Sequence, residues 1–253
     1  MKVEIIEKPK SFKVEPNLKD YEKTYRRFKW SDVKEEIDWF KGKRLNMAYD
    51  AVDRHSEEWR KNKVALYWEG GGKSEKYTFA DLVEQSNKFA NVLRSLEVDR
   101  HDRVFIFLPR VPPLYVSFLG TLKTGAIAGT MFAAFGPSGI KDRLENSKAK
   151  VLVTDSELVD RVYKIKKELP DLEKIIVVDN YGTKKHNIRK DEVSYAEVMP
   201  SASDKFRIAH TKPTDPAFML YTSGTTGKPK GVVHQHYALV QEHVTAKWVL
   251  DLH

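Results

Sequence analysis

Through residue 44 the chain shows no sustained apolar period: charged side chains dominate, and Trp30, Trp39 and Phe40 are set among Lys and Glu. Residues 1–44 therefore read as an arm packed on a domain that occupies residues 45–253. Over 45–59 a helical stripe runs through Ala48, Ala51, Val52, His55 and Trp59, with His55 as a packed or capping side chain. Residues 64–68 and 76–79 read as two strands around a turn at 69–74. Within that turn Gly72-Lys73-Ser74 lacks the upstream glycine of a Walker loop, where Tyr67 stands, and a strand follows it instead of a helix. Thr78, with Asp81 three residues on, caps a helix whose face is Leu82, Ser86, Phe89, Leu93 and Leu96.

Beyond residue 100 the pattern alternates. Apolar runs at 102–108, 126–132, 150–154 and 174–178 predict buried strands, and helices are expected from Pro112 to Gly125, over 138–147 and over 157–169. Strands and helices in this order predict an α/β fold with a mostly parallel sheet flanked by helices. Residues 180–214 read as a long excursion. Residues 217–221 (AFMLY) read as one more buried strand, which delivers the chain into YTSGTTGKPKG at 221–231.

Composition changes this picture little. With 41% hydrophobic and 32% charged residues the chain is globular, not fibrous or disordered. Forty-four Lys and Arg against 36 Asp and Glu give a net charge of +8. Acids and bases alternate over 33–38 and 144–150, as on a solvated surface, and the excess suits anionic ligands such as nucleotides or coenzyme A. No unbroken basic block predicts a nucleic-acid groove. The absence of cysteine excludes a thiolate metal site, a catalytic thiol and disulfides. The charged N-terminus and the lack of any apolar run near the roughly 20 residues of a membrane span predict a cytoplasmic protein without a membrane partner.

The chemistry concentrates at 221–231. Gly224, Gly227 and Gly231 let a backbone turn tightly and offer N–H groups to an anion. Thr222, Ser223, Thr225 and Thr226 add hydroxyl donors, Lys228 and Lys230 add charge, and Pro229 stiffens the return. A triphosphate needs this set: many donors, and cations to offset charge as pyrophosphate leaves. The position after a buried strand suits it, because open α/β sheets bind ligands beyond the carboxyl ends of their strands. His234 and His236 would share a face if their segment is extended, but with His243 they make no ligand set of suitable spacing, so no metal site is expected.

YTSGTTGKPKG followed by VVHQH resembles the phosphate-loop signature of adenylate-forming enzymes, which include acyl- and aryl-CoA synthetases, luciferases and peptide-synthetase adenylation domains. DWFKGKRLNMAYDAVDRH, YTFADLVEQSNKFANVLRSL, DRVFIFLPRVPPLYVSFLGTLKTGAIAGTMFAAF and KDRLENSKAKVLVT resemble AMP-forming acetyl-CoA synthetases in their shorter bacterial and archaeal form. The resemblance implies part of that family's large N-terminal domain. It also implies a ligase that joins acetate and coenzyme A through acetyl-adenylate, with release of AMP and pyrophosphate. On the family pattern Thr222, Ser223, Thr225 and Thr226 hold the β- and γ-phosphates of ATP within a loop that includes Gly224, Gly227 and Lys228. Lys230 is the leading electrostatic contact and the catalytic candidate. Phe132, Ala133 and Ala134 match the coenzyme A turn, where long forms carry a Gly-Gly pair between phenylalanines. A two-arginine coenzyme A clamp of the long forms is not reproduced: Asp160, Arg161, Val162 and Tyr163 stand there, and Arg161 reads as a helix-surface charge.

The same resemblance implies that the contacts to adenine and acetate, the acidic ligand for Mg2+ and a mobile C-terminal domain lie outside residues 1–253. The expectation is an incomplete domain that does not catalyse alone and self-associates when expressed alone. A non-catalytic nucleotide- or partner-binding chain, and a ligase for another short-chain, medium-chain or aryl acid, are the alternatives.

Overall fold

The computed structural model describes residues 11–37, 39, 42–179, 181, 186–223 and 227–253. After α1 (Tyr21–Arg27) and a 3-10 segment (Trp30–Glu36), the chain enters a π turn (Tyr49–Asp53) that runs into one helical turn, Arg54–Ser56. The wide π turn shifts the stripe expected here: Ala48 and Val52 are buried, but Ala51 faces solvent and Trp59 is 74% exposed. The expected hairpin forms, β1 (Val64–Gly70) against β2 (Lys73–Thr78), but with a tighter turn than 69–74: Glu69 pairs with Ser74 and Gly70 with Lys73, which leaves Gly71 and Gly72, both at positive φ, between the strands.

Thr78 starts α2 (Phe79–Ser95) through a reciprocal capping box: its Oγ1 accepts from the Asp81 N–H at 3.1 Å, and Asp81 Oδ2 accepts from the Thr78 N–H at 2.8 Å. The predicted face of α2 is buried at Leu82, Ser86, Phe89 and Leu93. It packs on α3 (Pro112–Thr124), which begins at a proline and ends at Gly125 with φ 81°. On α3, the fully buried Lys123 donates to Asp53 Oδ1 and Asn87 Oδ1, each at 2.8 Å, and so ties the π turn to both helices.

The main sheet contains β3 (Arg103–Phe107), β4 (Ile127–Met131), β5 (Val151–Asp155), β6 (Lys174–Val178), β7 (Glu192–Ser194), β8 (Pro216–Thr222) and β9 (Lys230–Gln235). Its order is β7-β6-β5-β3-β4-β8-β9, parallel throughout except for β9, which is antiparallel to β8. The strands read as unbroken apolar runs because both faces are covered. Val104, Ile106, Val151 and Val153 meet Phe89, Leu93, Tyr195 and Met199 on one side. Phe105, Phe107 and Leu152 meet Ile140, Leu144, Val159 and Val162 on the other. Those last residues belong to α4 (Pro137–Ser147) and α5 (Val159–Tyr163).

Three sequence expectations fail here for local reasons. The helix expected over 157–169 is only α5, followed by a 3-10 turn, Lys166–Glu168. Asp155 Oδ1 accepts from the N–H groups of Glu157 and Leu158 and delays the start, and Ile165 leaves helical geometry at φ −125°. The excursion at 180–214 contains β7 and α6 (Tyr195–Ser201), with Ser194 as the N-cap of α6. Third, β8 is not buried along its length: Ala217 is covered, whereas Leu220 is 40% exposed. The helix α7 (Ala238–Trp248) follows β9 and packs on the N-terminal residues. Val33, Ile37 and Leu45 meet Val240, and Phe28 lies 5.1 Å from the Trp248 ring.

Candidate functional site

Three segments converge at the carboxyl edge of the sheet: the loop after β3, the turn after β4, and the end of β8. They bound a cleft of about 560 Å³ whose lining includes Leu108, Arg110, Tyr115, Phe132, Phe135, Arg143 and Tyr221. Its place is the one expected for a ligand in a parallel sheet, beyond the strand ends.

The signature loop is the connection of the β8–β9 hairpin. Thr222 and Lys230 are register partners at its base, and Thr222, Ser223, Gly227, Lys228 and Lys230 are exposed. Gly224, Thr225 and Thr226 lie outside the described residues. A strand and not a helix follows the loop, so no helix N-terminus stands behind it, and Lys228 and Lys230 are its cationic side chains. No ion pair engages either lysine among the described residues. Gly227 sits at φ 86° with open space where a Cβ would be, so its glycine serves the turn. Gly231 serves something else. It lies in β9 opposite Tyr221, and a Cβ there would stand 3.1 Å from both the Tyr221 ring and Met219 Sδ. The missing side chain lets the tyrosine ring cross the strand.

Tyr221 is anchored by α4: its hydroxyl donates to Asn146 Oδ1 at 2.7 Å, with the Arg143 carbonyl 3.2 Å away. Burial raises its pKa, so the phenol stays protonated and donating. The turn after β4 is built equally firmly. Phe132 is 75% exposed, its ring edge-on to Phe135 at 5.7 Å. Arg161 corrects its sequence reading: it is no free surface charge, for its Nη1 donates to the carbonyls of Ala133 at 2.8 Å and Phe135 at 3.2 Å. It fixes the turn that carries Phe132, Ala133 and Ala134.

The histidines separate. His234 stacks on Phe218 at 4.4 Å, and His243 bonds Glu36 at 2.8 Å. His236 is fully buried, its Nδ1 accepting from the Met47 N–H at 3.2 Å. Among the described residues no three His, Cys, Asp or Glu side chains converge as a metal site.

A family model described as AMP-binding enzyme matches residues 52–252. The chain belongs to that family. Within the AMP-binding enzymes it is 47% identical over 237 residues to the acetyl-coenzyme A synthetase of Bacillus subtilis (strain 168), covering 93% of this chain and 40% of the relative. It is 36% identical over 229 residues to the 3-hydroxypropionyl-coenzyme A synthetase of Sulfurisphaera tokodaii, covering 83% of this chain and 34% of that one. The solved Brucella canis acyl-CoA synthetase superposes with a TM-score of 0.79 at 26% identity, over 90% of this chain and 40% of its own. The chain thus spans 34–40% of the length of these relatives, and its sheet is part of a larger AMP-binding domain. No helix among its described residues is long and apolar enough to cross a membrane.

Sequence reasoning missed Arg110, Arg143 and Asn146. In KDRLENSKAK the acids and bases alternate as on any solvated helix, which concealed an arginine that faces a cleft.

Proposed function

We propose that residues 1–253 form the phosphate-binding part of an AMP-forming acetate–CoA ligase. In the proposed reaction an acetate oxygen attacks the α-phosphorus of ATP and pyrophosphate leaves, giving acetyl-adenylate. The coenzyme A sulfur then attacks the acyl carbon, its proton passes to solvent, and AMP leaves. Splitting one condensation into two displacements gives each step a good leaving group.

The observation that carries this reading is the β8–β9 loop at the carboxyl edge, with exposed Thr222, Ser223, Lys228 and Lys230 beside a cleft that begins at Tyr221. The proposed roles follow. Thr222 and Ser223, with Gly224, Thr225, Thr226 and Gly227, hold the β- and γ-phosphates. Lys230 at the loop base, assisted by Lys228, offsets the charge that grows on departing pyrophosphate. Phe132, Ala133 and Ala134 form the wall met by coenzyme A, where the small side chains of the two alanines permit close approach. With ATP and coenzyme A as reactants, the proposed reaction belongs to the cytoplasm.

The test is acetate-dependent exchange of pyrophosphate into ATP by the full polypeptide that carries these residues. Lys230→Met is expected to slow exchange by about a hundredfold or more, as for loss of one preorganised charge contact. Exchange with 3-hydroxypropionate but not acetate would replace the acid while keeping the chemistry; the Sulfurisphaera tokodaii relative motivates that second reading. No exchange with any carboxylic acid would sink both.

A further inference from the structure

The cleft holds charge that the phosphate loop does not explain. Its only charged lining side chains among the described residues are Arg110, just after β3, and Arg143, on α4. Neither is engaged by a carboxylate among the described residues. Arg110 is exposed and Arg143 half-buried, so water can reach both, and their guanidinium donors are available to an anionic ligand entering this largely apolar cleft.

Arg143 is held for such a task. Its guanidinium lies 4.0 Å over the Phe135 ring and 5.7 Å from the Tyr221 ring centroid, and Nη1 donates to the Gly139 carbonyl at 2.7 Å. A guanidinium has five N–H donors in a rigid plane, and stacking fixes that plane. The contact to Gly139 uses one donor; the remainder suit a bidentate bond to phosphate. Its two rings matter as well. Phe135 closes the turn after β4, and Tyr221 opens the phosphate loop, so Arg143 sits where both proposed subsites meet. Arg161 is not part of this lining; its Nη1 donates to the carbonyls of Ala133 and Phe135 behind the turn.

We propose that Arg110 and Arg143 are a phosphate clamp of this cleft, which binds a phosphate group of ATP or coenzyme A outside the loop signature. The proposal rests on the ligand class of the proposed function, and two sources share its chemistry. A triphosphate can extend from the loop past Tyr221, and coenzyme A can bring its diphosphate or 3′-phosphate along the wall at Phe132.

The full polypeptide carrying residues 1–253, as wild type, Arg110→Met, Arg143→Met, Arg143→Lys and Lys230→Met, is titrated calorimetrically with ATP, coenzyme A and 3′-dephospho-coenzyme A. Each methionine variant is expected to weaken the same ligand by about tenfold or more, the effect of losing a charged hydrogen bond. Arg143→Lys, which keeps charge without the planar fork, restores part of that loss. Weakening confined to ATP assigns the clamp to the nucleotide triphosphate. Weakening for coenzyme A but not for its dephospho form assigns it to the 3′-phosphate, and weakening for both forms assigns it to the diphosphate.

Lys230→Met separates this proposal from the loop reading. If it weakens ATP while every arginine variant binds all three ligands as the wild type does, the clamp is wrong and the loop stands. If only the arginine variants lose affinity, the clamp stands and the role of Lys230 falls. A wild type that binds none of the three overturns the clamp. Where Arg143→Met melts below the wild type, Arg110→Met and Arg143→Lys decide between these outcomes.

Discussion

Burial sets the charge of His236. Loss of hydration pushes its pKa from 6.5 down to about 4, with Arg100 adding to the shift and Asp215 opposing it. Nδ1 accepts from Met47, so the neutral ring carries its proton on Nε2, which is buried without a partner among the described residues. The sign of the pH effect follows. Between pH 4 and 6.5 the unfolded chain binds a proton at this residue that the folded chain refuses, so stability rises with pH across that window. The contribution is complete above the unfolded pKa. It is lost as pH falls toward 4, by about 3 kcal/mol at most. His236→Asn keeps an acceptor for the Met47 N–H and removes the titration. Denaturant melts from pH 4 to 7 should therefore show a shallower acid slope than wild type; equal slopes would assign the acid sensitivity elsewhere. The sequence identified this histidine as a possible ligand only by its spacing from His234. Spacing does not report burial, and burial is what makes the ring neutral and structural.

At the scale of elements, the legible parts were those where a local rule and the tertiary environment agree. Val104, Ile106, Val151 and Val153 are β-branched residues buried on a two-sided sheet, and Thr78 with Asp81 forms the cap its spacing predicts. Thr78→Ala should lower stability by about 1 kcal/mol in chemical denaturation, the ordinary value of an N-cap. Elements that depend on distant partners were not legible. Three-residue β7 exists because Ile175, Ile176 and Val177 pair with it, and its buried Glu192 is met by His186 at 2.7 Å. The candidate site divides the same way. The phosphate loop is contiguous and was read directly, whereas Arg143 and Arg110 acquire meaning only when α4 and the β3–α3 loop are brought to one cleft.

Gly120 tests how packing overrides propensity in these elements. Alanine in the middle of α3 would gain about 1 kcal/mol of helix propensity. Its methyl, however, would stand 2.8 Å from the Ser86 carbonyl oxygen and 2.8 Å from the Phe89 ring. Backbone on α2 cannot rotate away, and overpacking of this kind costs about 1–3 kcal/mol. Gly120→Ala is thus expected to be destabilising in urea melts, and a stabilised variant would show that α2 and α3 can separate freely.

For the whole molecule, the sheet has two unequal ends. The β7 end is short and held by Glu192, His186 and Arg189, which leaves little edge to pair. The β9 end is different. Lys230, Gly231, Val232, Val233 and Gln235 are all exposed, and Val232 and Val233 are 41% and 47% accessible. Leu220 on β8 lies beside them, 40% exposed, so the edge strand borders an open apolar face. Val249, Leu250 and Leu252, each more than 60% exposed, add to the uncovered apolar surface after α7. A strand with free N–H and C=O groups, β-branched residues and no proline is a template for another strand. The isolated 253-residue chain should therefore self-associate through β9, seen as a concentration-dependent mass in sedimentation velocity. Val233→Lys places a charge on that edge, away from the cleft lining, and should shift the chain toward monomer without lowering its thermal transition. A wild type that stays monomeric across the accessible concentrations would mean that the β9 edge is already blocked. A Val233→Lys variant that still associates would move the contact to the apolar residues after α7.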